Sequence, residues 1–185
     1  MKSLINTALD LLSNPQRLYS VSVGDDSASF LFDSLEGQDA LSTLSEYTVR
    51  LLHRSADLDI ETLLGQELRV SIQTLGTPRY LHGLISHASY LGQEGETERY
   101  YVYEVRVVPW FWLTTLNQEF RIFQNMNVRE IVDQVLGAYR YSWLWETPGK
   151  FPAYEYCVQY GESDFQFISR LLEREGLYYS AMIWH

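Results

Sequence analysis

Segments in which apolar and polar residues alternate dominate the chain from residue 17 to residue 109. A period of two is typical of β-strands that bury one face. The pattern predicts strands over residues 46–54, 68–74, 80–90 and 99–108, with polar connections between them. Consecutive strands of this kind indicate an antiparallel meander, and closing the meander into a β-barrel would remove its open edges.

The start of this region is predicted to be a hairpin. Residues 18–23 and 28–32 alternate in the same way, and Gly24, Asp25 and Asp26 between them are typical turn residues. We therefore expect the two segments to pair with each other.

The pattern changes after Pro109, and two helices are predicted. In the first, over residues 128–136, Asn127 is the N-cap, Glu130 completes a capping box and Gly137 follows the last turn. The second runs from Ser163 to Glu175. It has its own capping box, an acidic first turn and a terminal glycine, formed by Ser163, Gln166, Asp164 and Gly176.

These elements predict a β-rich α+β fold in three parts. Residues 1–15 form a helical appendage, residues 16–112 an antiparallel β-barrel, and residues 113–185 a small helix-containing subdomain with a loop in its middle. Residues 177–184 alternate like a strand, and an unpaired strand at the last positions indicates a subdomain truncated at its C-terminal end.

Composition narrows the function. The chain has 185 residues, 24 acidic and 14 basic side chains and a net charge of −10, which disfavours nucleic acid and anionic lipid and favours protein partners. No apolar run reaches the roughly 20 residues of a membrane span. Neither a signal peptide nor a disulfide is expected, so we expect folding in the cytoplasm and, if the protein is exported, export without a conventional signal.

Candidate catalytic groups are few. Carboxylates at positions 162, 164, 173 and 175 are spaced like helix-dipole and solvated residues more than like a glycosidase pair. The lone cysteine, Cys157, has apolar and aromatic neighbours and is expected to be a small buried residue. No HExxH, CxxC, GxSxG or nucleotide-binding pattern occurs. The prediction is a protein without catalytic residues, cofactor or metal.

Tryptophans are the strongest candidates for a binding surface. They occur in two groups, Trp110 with Trp112 and Trp143 with Trp145, and rings at i and i+2 on an extended chain share one face. Core packing, a protein interface and carbohydrate stacking all remain possible for them.

The segment 157–176 resembles the "QYxESDxxFxxRLxExEG" helix of the VgrG family, the spike proteins of type VI secretion, whose N-terminal part is similar to phage tail baseplate hubs. Residues 121–124, RIFQ, resemble a second family segment, and the resemblance extends over about residues 17–185. The positions that carry it are Arg121, Phe123, Gln159, Tyr160, Glu162, Ser163, Asp164, Phe167, Arg170, Leu171, Glu175 and Gly176.

The resemblance implies a non-enzymatic, homotrimeric hub. Such a hub adapts the hexameric Hcp tube to a needle tipped by a PAAR-repeat protein, and it delivers effectors when the sheath contracts. Gln159, Glu162, Arg170 and Glu175 would form fixed hydrogen bonds or ion pairs. The alternatives are the hub of a contractile phage-like tail and, less favoured, a carbohydrate-binding module.

Overall fold

The computed structural model describes residues 18–25, 29–95 and 99–181. The described residues fall into two compact units. The sheet unit contains the described residues up to Gln38 together with Ser45–Pro109, and the helical unit contains Asp39–Leu44 and Trp110–Ala181. The predicted helical appendage over residues 1–15 lies outside the described residues. The predicted boundary between residues 112 and 113 stays a prediction.

The sheet unit is a six-stranded antiparallel sheet in the described part of the chain, with the order β1-β4-β5-β6-β3-β2. A short 3-10 helix, η1, at Ile60–Leu63 precedes β4. The strands are β1 Tyr19–Val23, β2 Phe30–Gln38, β3 Glu46–His53, β4 Glu67–Ile72, β5 Arg79–Glu94 and β6 Tyr100–Val108.

The predicted hairpin at the start of the sheet is wrong, and the order is not a simple meander. Strand β1 pairs with β4, where Val21 lies opposite Val70 and Val23 opposite Leu68, whereas β2 pairs with β3. All four of these residues on β1 and β4 are buried. Pairing of buried apolar positions across distant strands therefore outweighs the local turn signal.

The core of the sheet unit consists of the alternate residues that the period predicts. Side chains on β3, β4, β5 and β6 have no exposed surface, namely Val49, Leu51, Leu68, Val70, Leu81, Val105 and Val107. The sheet curls so that its two edge strands, β1 and β2, come together. This is shown by the rings of Tyr19 on β1 and Phe32 on β2, which stack with centroids 5.0 Å apart. The predicted fold class, a barrel-like antiparallel sheet followed by a helix-containing unit, is confirmed.

The helical unit begins with a 3-10 helix, η2, at Trp110–Thr115. It continues with β7 Glu119–Phe123, α1 Val128–Leu136, β8 Cys157–Glu162 and α2 Asp164–Arg174. Both predicted helices are confirmed, together with their capping boxes. Within the described residues, no helix is long and apolar enough to span a membrane.

Strands β7 and β8 form a two-stranded antiparallel sheet that the alternation did not predict. On β7, Phe120 and Ile122 are 69% and 62% exposed, whereas Arg121 is largely covered and Phe123 is buried. Along residues 120–122 of this strand the apolar side chains therefore face outward and the charged one faces inward, the opposite of the usual pattern.

The predicted strand at the C-terminal end is wrong for residues 177–181, which form no strand. This segment is held instead by hydrogen bonds to Ser42: the Ser42 N–H donates to the Tyr179 carbonyl at 2.8 Å, and the Tyr179 hydroxyl donates to the Ser42 carbonyl at 3.1 Å. Isolated bonds of this kind do not make a ladder. The last predicted positions lie outside the described residues.

Candidate functional site

The two helices of the helical unit pack their apolar stripes into a shared core. Val128 and Ile131 on α1 and Phe167 and Leu171 on α2 have no exposed surface. The ring of Phe123 on β7 stacks on Phe167 with centroids 5.5 Å apart. Phe123, Phe167 and Leu171, three positions of the family motif, are therefore packing residues.

Asp164, the first residue of α2, lies at the centre of a polar cluster. It is fully buried, and its carboxylate accepts hydrogen bonds from four side chains in the described part of the chain. Arg121 and Gln159 donate to Oδ1 at 2.7 and 2.8 Å, and Asn117 and Tyr139 donate to Oδ2, each at 2.8 Å. We call these five side chains the Asp164 cluster.

The cluster holds Asp164 in its charged form. Burial pushes the pKa of the Asp164 carboxyl upward, but the hydrogen bonds from Gln159, Asn117 and Tyr139 and the charge of Arg121 outweigh burial and lower it. The same arrangement raises the pKa of the Tyr139 hydroxyl, chiefly through burial and then through its bond to the carboxylate. Neither group exchanges a proton near neutral pH.

Local structure positions three of these groups, namely Asp164, Arg121 and Gln159. The Ser163 hydroxyl accepts from the Gln166 N–H at 3.2 Å, and the Gln166 side chain accepts from the Ser163 N–H at 3.0 Å, which fixes the start of α2 and hence Asp164. Arg121 on β7 and Gln159 on β8 are directly opposite in the ladder. Gly161, inside β8, has a φ of +61° and is skipped in the ladder between the Glu119–Glu162 and Phe120–Tyr160 pairs, a bulge position that favours glycine.

A second ion pair links α2 to the end of β8. The Arg170 guanidinium donates to both carboxylate oxygens of Glu162 and to the Val158 carbonyl at 3.2 Å. The hydrogen bonds from Arg170 to Glu162 raise the pKa of Arg170, outweighing its partial burial. The Arg170 side chain is 49% exposed, so this pair lies at the surface.

The end of α2 is fixed by a third contact. The Tyr154 hydroxyl donates to Glu175, and the Arg174 guanidinium lies 4.8 Å from the centre of the Tyr154 ring. Burial, together with the neighbouring Glu175 carboxylate, raises the pKa of Tyr154 to about 12. Gly176 follows with a φ of +68°, the left-handed conformation that ends many helices.

The tryptophans singled out by the sequence have different surroundings. The indole N–H groups of Trp143 and Trp145 both donate to Oδ1 of Asp133 on α1, each at 2.7 Å. Trp110 stacks on Tyr141 with centroids 5.1 Å apart and nearly parallel rings. Trp112 is partly buried on η2. The interface role of the four rings stays a prediction.

The cluster brings together motif residues that are distant in sequence, but it leaves Tyr160 outside. Tyr160 is 79% exposed and packs edge-on against Phe120 on the outer face of β7 and β8. Sequence reasoning missed Asn117, Tyr139, Asp133 and Tyr154, because no local pattern marks a residue whose partner lies elsewhere in the chain.

Cys157 is buried, and burial raises the pKa of its thiol. In residues 18–25, 29–95 and 99–181, no three His, Cys, Asp or Glu side chains are grouped so that they could hold a metal ion. The polar groups of the Asp164 cluster are bonded to one another. The cluster is therefore suited to fixing positions in the fold.

Fold and site together define a protein with a curled antiparallel β-sheet and a separate helical unit whose own segments are joined by a buried carboxylate. The family described as phage tail baseplate hub (GPD) matches residues 38–182. The chain belongs to this family. Its resemblance to the VgrG spike proteins is also confirmed.

Among curated relatives, the type VI secretion system spike proteins VgrG1a and VgrG1c of Pseudomonas aeruginosa are 36% and 35% identical over 151 and 147 residues. These matches cover 80% and 78% of this chain but 23% and 20% of the relatives. The chain thus spans less than a quarter of either relative. The actin cross-linking toxin VgrG1 of Vibrio cholerae is 28% identical over 177 residues, 88% of this chain and 16% of the toxin.

Solved structures agree. The E. coli c3393 protein, a component of the type VI secretion system with structural similarity to the T4 bacteriophage tail proteins gp27 and gp5, has a TM-score of 0.69 and 27% identity, over 82% of this chain and 42% of that chain. The 43 kDa tail protein of prophage MuSo2 from Shewanella oneidensis has a TM-score of 0.59 and 13% identity, over 85% of this chain and 48% of that chain, and shows the fold alone.

Proposed function

We propose that this chain is the hub part of a type VI secretion spike, that it works as a homotrimer, and that it has no enzymatic activity of its own. In this role it adapts the hexameric Hcp tube to the needle, which carries a PAAR-repeat tip and effectors through regions outside this chain. The protein assembles in the bacterial cytoplasm and leaves through the secretion machine without a signal peptide.

The Asp164 cluster is the observation that carries the proposal. A hub that transmits the force of sheath contraction needs elements that keep their positions, and a buried carboxylate bonded to four side chains from separate segments supplies such a joint. Among the motif residues of the spike family resemblance, Arg121, Gln159 and Asp164 meet in this cluster, and Arg170 pairs with Glu162. The sequence of this chain is 33–36% identical to several type VI spike proteins, which favours a role in the secretion machine over a role in a phage tail.

A chimeric spike tests the proposal. In Pseudomonas aeruginosa lacking its other spike proteins, this chain replaces the matching part of VgrG1a, and the Hcp released into the medium is measured. We expect Hcp release and, by light scattering, a trimeric chimera. The matched controls are the chimera with Asp164→Ala, expected to abolish release, and with the exposed Glu173→Ala, expected to preserve it. A folded, trimeric chimera that released no Hcp would contradict the proposal.

A further inference from the structure

Residues 142–147 form an extended segment that is bound to the helical unit by its side chains. The segment contains no turn or bend, and its residues alternate between exposed and partly buried. Trp143 and Trp145 point to the same side, since both indole N–H groups donate to Oδ1 of Asp133 at 2.7 Å. The Arg129 guanidinium lies 5.0 Å from the centre of the Trp145 ring. We call residues 142–147 the tryptophan strap.

The main chain of the strap is not part of any sheet. Across the described ranges, no main-chain N–H or C=O group of residues 142–147 is hydrogen-bonded to another main-chain group. Main-chain N–H and C=O groups that are not bonded to other main-chain groups can hydrogen-bond to the main chain of an added strand. Most such segments are mobile and must lose entropy to pair, but the side chains of this one are already anchored, which lowers that cost.

The outward face of the strap limits which strand fits. Ser142, Leu144 and Glu146 point to solvent, and Leu144 is 81% exposed. Cross-strand neighbours favour an apolar residue opposite Leu144 and a basic residue opposite Glu146. The net charge of −10 over the whole chain also favours a basic partner.

We propose that the tryptophan strap is a docking edge for an extended strand of another protein, which pairs antiparallel and carries basic, apolar and small polar residues opposite Glu146, Leu144 and Ser142. Trp143 and Trp145 anchor the strap to Asp133 on α1, and the main chain of the strap forms the hydrogen bonds to the added strand. The proposal goes beyond the hub function and does not depend on it.

The probe is a synthetic peptide. It carries lysine, valine and threonine at the positions opposite Glu146, Leu144 and Ser142, and threonine at the positions between them. Its binding to the full 185-residue chain is measured by fluorescence anisotropy and by amide chemical shifts. We expect saturable binding with shifts concentrated at residues 142–147. No saturation up to about 1 mM peptide, or shifts elsewhere, would overturn the proposal.

Two N-methylated peptides separate strand pairing from nonspecific attraction. Each carries methyl groups on one alternate set of main-chain nitrogens, and only one set faces the strap in a paired strand. We expect one peptide to bind at least about tenfold more weakly, because several main-chain bonds are lost together, and the other to bind as before. Equal affinity of the two would refute pairing.

Variants at exposed positions test the side-chain pattern without disturbing the fold. Glu146→Lys should weaken binding of the lysine peptide about threefold and strengthen binding of a peptide that has glutamate in place of the lysine. Leu144→Ser should weaken binding, whereas Leu75→Ser, at another exposed leucine, should not. Unchanged affinity in Glu146→Lys and Leu144→Ser would contradict the pattern. Concentration-dependent shifts at residues 142–147 without peptide would assign the edge to a second copy and overturn the choice of partner.

Discussion

The sheet unit and the helical unit fill their interiors with different chemistry. In the sheet unit, valine, leucine, isoleucine and tyrosine on alternate residues pack against one another, with Ser45 as a buried polar residue at the margin. In the helical unit, Thr114, Gln159, Ser163 and Asp164 are buried beside the apolar core. Apolar packing depends mainly on volume and shape, whereas hydrogen bonds also fix direction and atom type. The helical unit should therefore tolerate substitution less.

The largest effect is expected at the buried carboxylate. Asp164→Ala leaves Arg121, Gln159, Asn117 and Tyr139 without their shared acceptor, and should lower the free energy of unfolding of the helical unit by about 3–5 kcal/mol. Urea unfolding followed by tryptophan fluorescence measures this, since four of the five tryptophans in the sequence lie in the helical unit, namely Trp110, Trp112, Trp143 and Trp145.

Glu173→Ala is the matched control for that variant, because Glu173 is an exposed carboxylate on the same helix. It should change stability by no more than about 0.5 kcal/mol. A loss below about 1 kcal/mol in Asp164→Ala would remove the contrast between the two units.

The stability of the sheet unit should fall when a core side chain loses volume, and should fall much less when its shape changes at nearly constant volume. Leu51→Ala is expected to cost about 2–5 kcal/mol, whereas Leu51→Met should cost less than about 1.5 kcal/mol. Amide hydrogen exchange of β3 and β6 reports on this unit. If Asp164→Asn, which keeps the size of the side chain, were as mild as Leu51→Met, the two interiors would not differ as proposed.

Acid should weaken the helical unit through Asp164. The pKa of this carboxyl is lowered in the folded state, so its stabilisation is complete above the unfolded value and is lost as pH falls through the folded value. From about pH 4 downward, the stability of the wild type should approach that of Asp164→Asn. Parallel urea titrations across this range give the comparison, and a constant difference would be inconsistent with a charged Asp164.

Removing the helix cap should have a smaller effect. Ser163→Ala loses the acceptor for the Gln166 N–H and should destabilise the helical unit by about 0.5–2 kcal/mol. Ser163→Asn restores an acceptor at the N-cap and is expected to recover part of the loss, as measured by the same fluorescence unfolding. No recovery would mean that burial of the serine, and not capping, governs this position.

The smallest effect is expected at the surface ion pair. Arg170→Ala should cost about 1 kcal/mol or less, because the side chain is 49% exposed and the pair is screened by solvent. The cost should shrink further in about 1 M salt, where screening is short-ranged. A variant as stable as the wild type in low salt would leave Arg170 without a positioning role in the helix.

Features that depend on nearby residues could be predicted from the sequence. The alternation located strands β3 to β6, and the caps at Asn127 and Ser163 located both helices. Each of these signals lies within the element that it defines. The family motif also contains Arg121, Gln159 and Asp164, three of the five side chains of the Asp164 cluster.

The tertiary structure alone decided which elements and side chains meet. The pairing of β1 with β4 and the bonds of Asn117 and Tyr139 to Asp164 join positions far apart in sequence. The exposure of the apolar residues Phe120 and Ile122 on β7 likewise depends on how that strand packs in the fold. The Trp143 and Trp145 bonds to Asp133 likewise join two separate segments, residues 142–147 and α1. Period and capping follow from the geometry of a single element, whereas these contacts depend on how several elements pack.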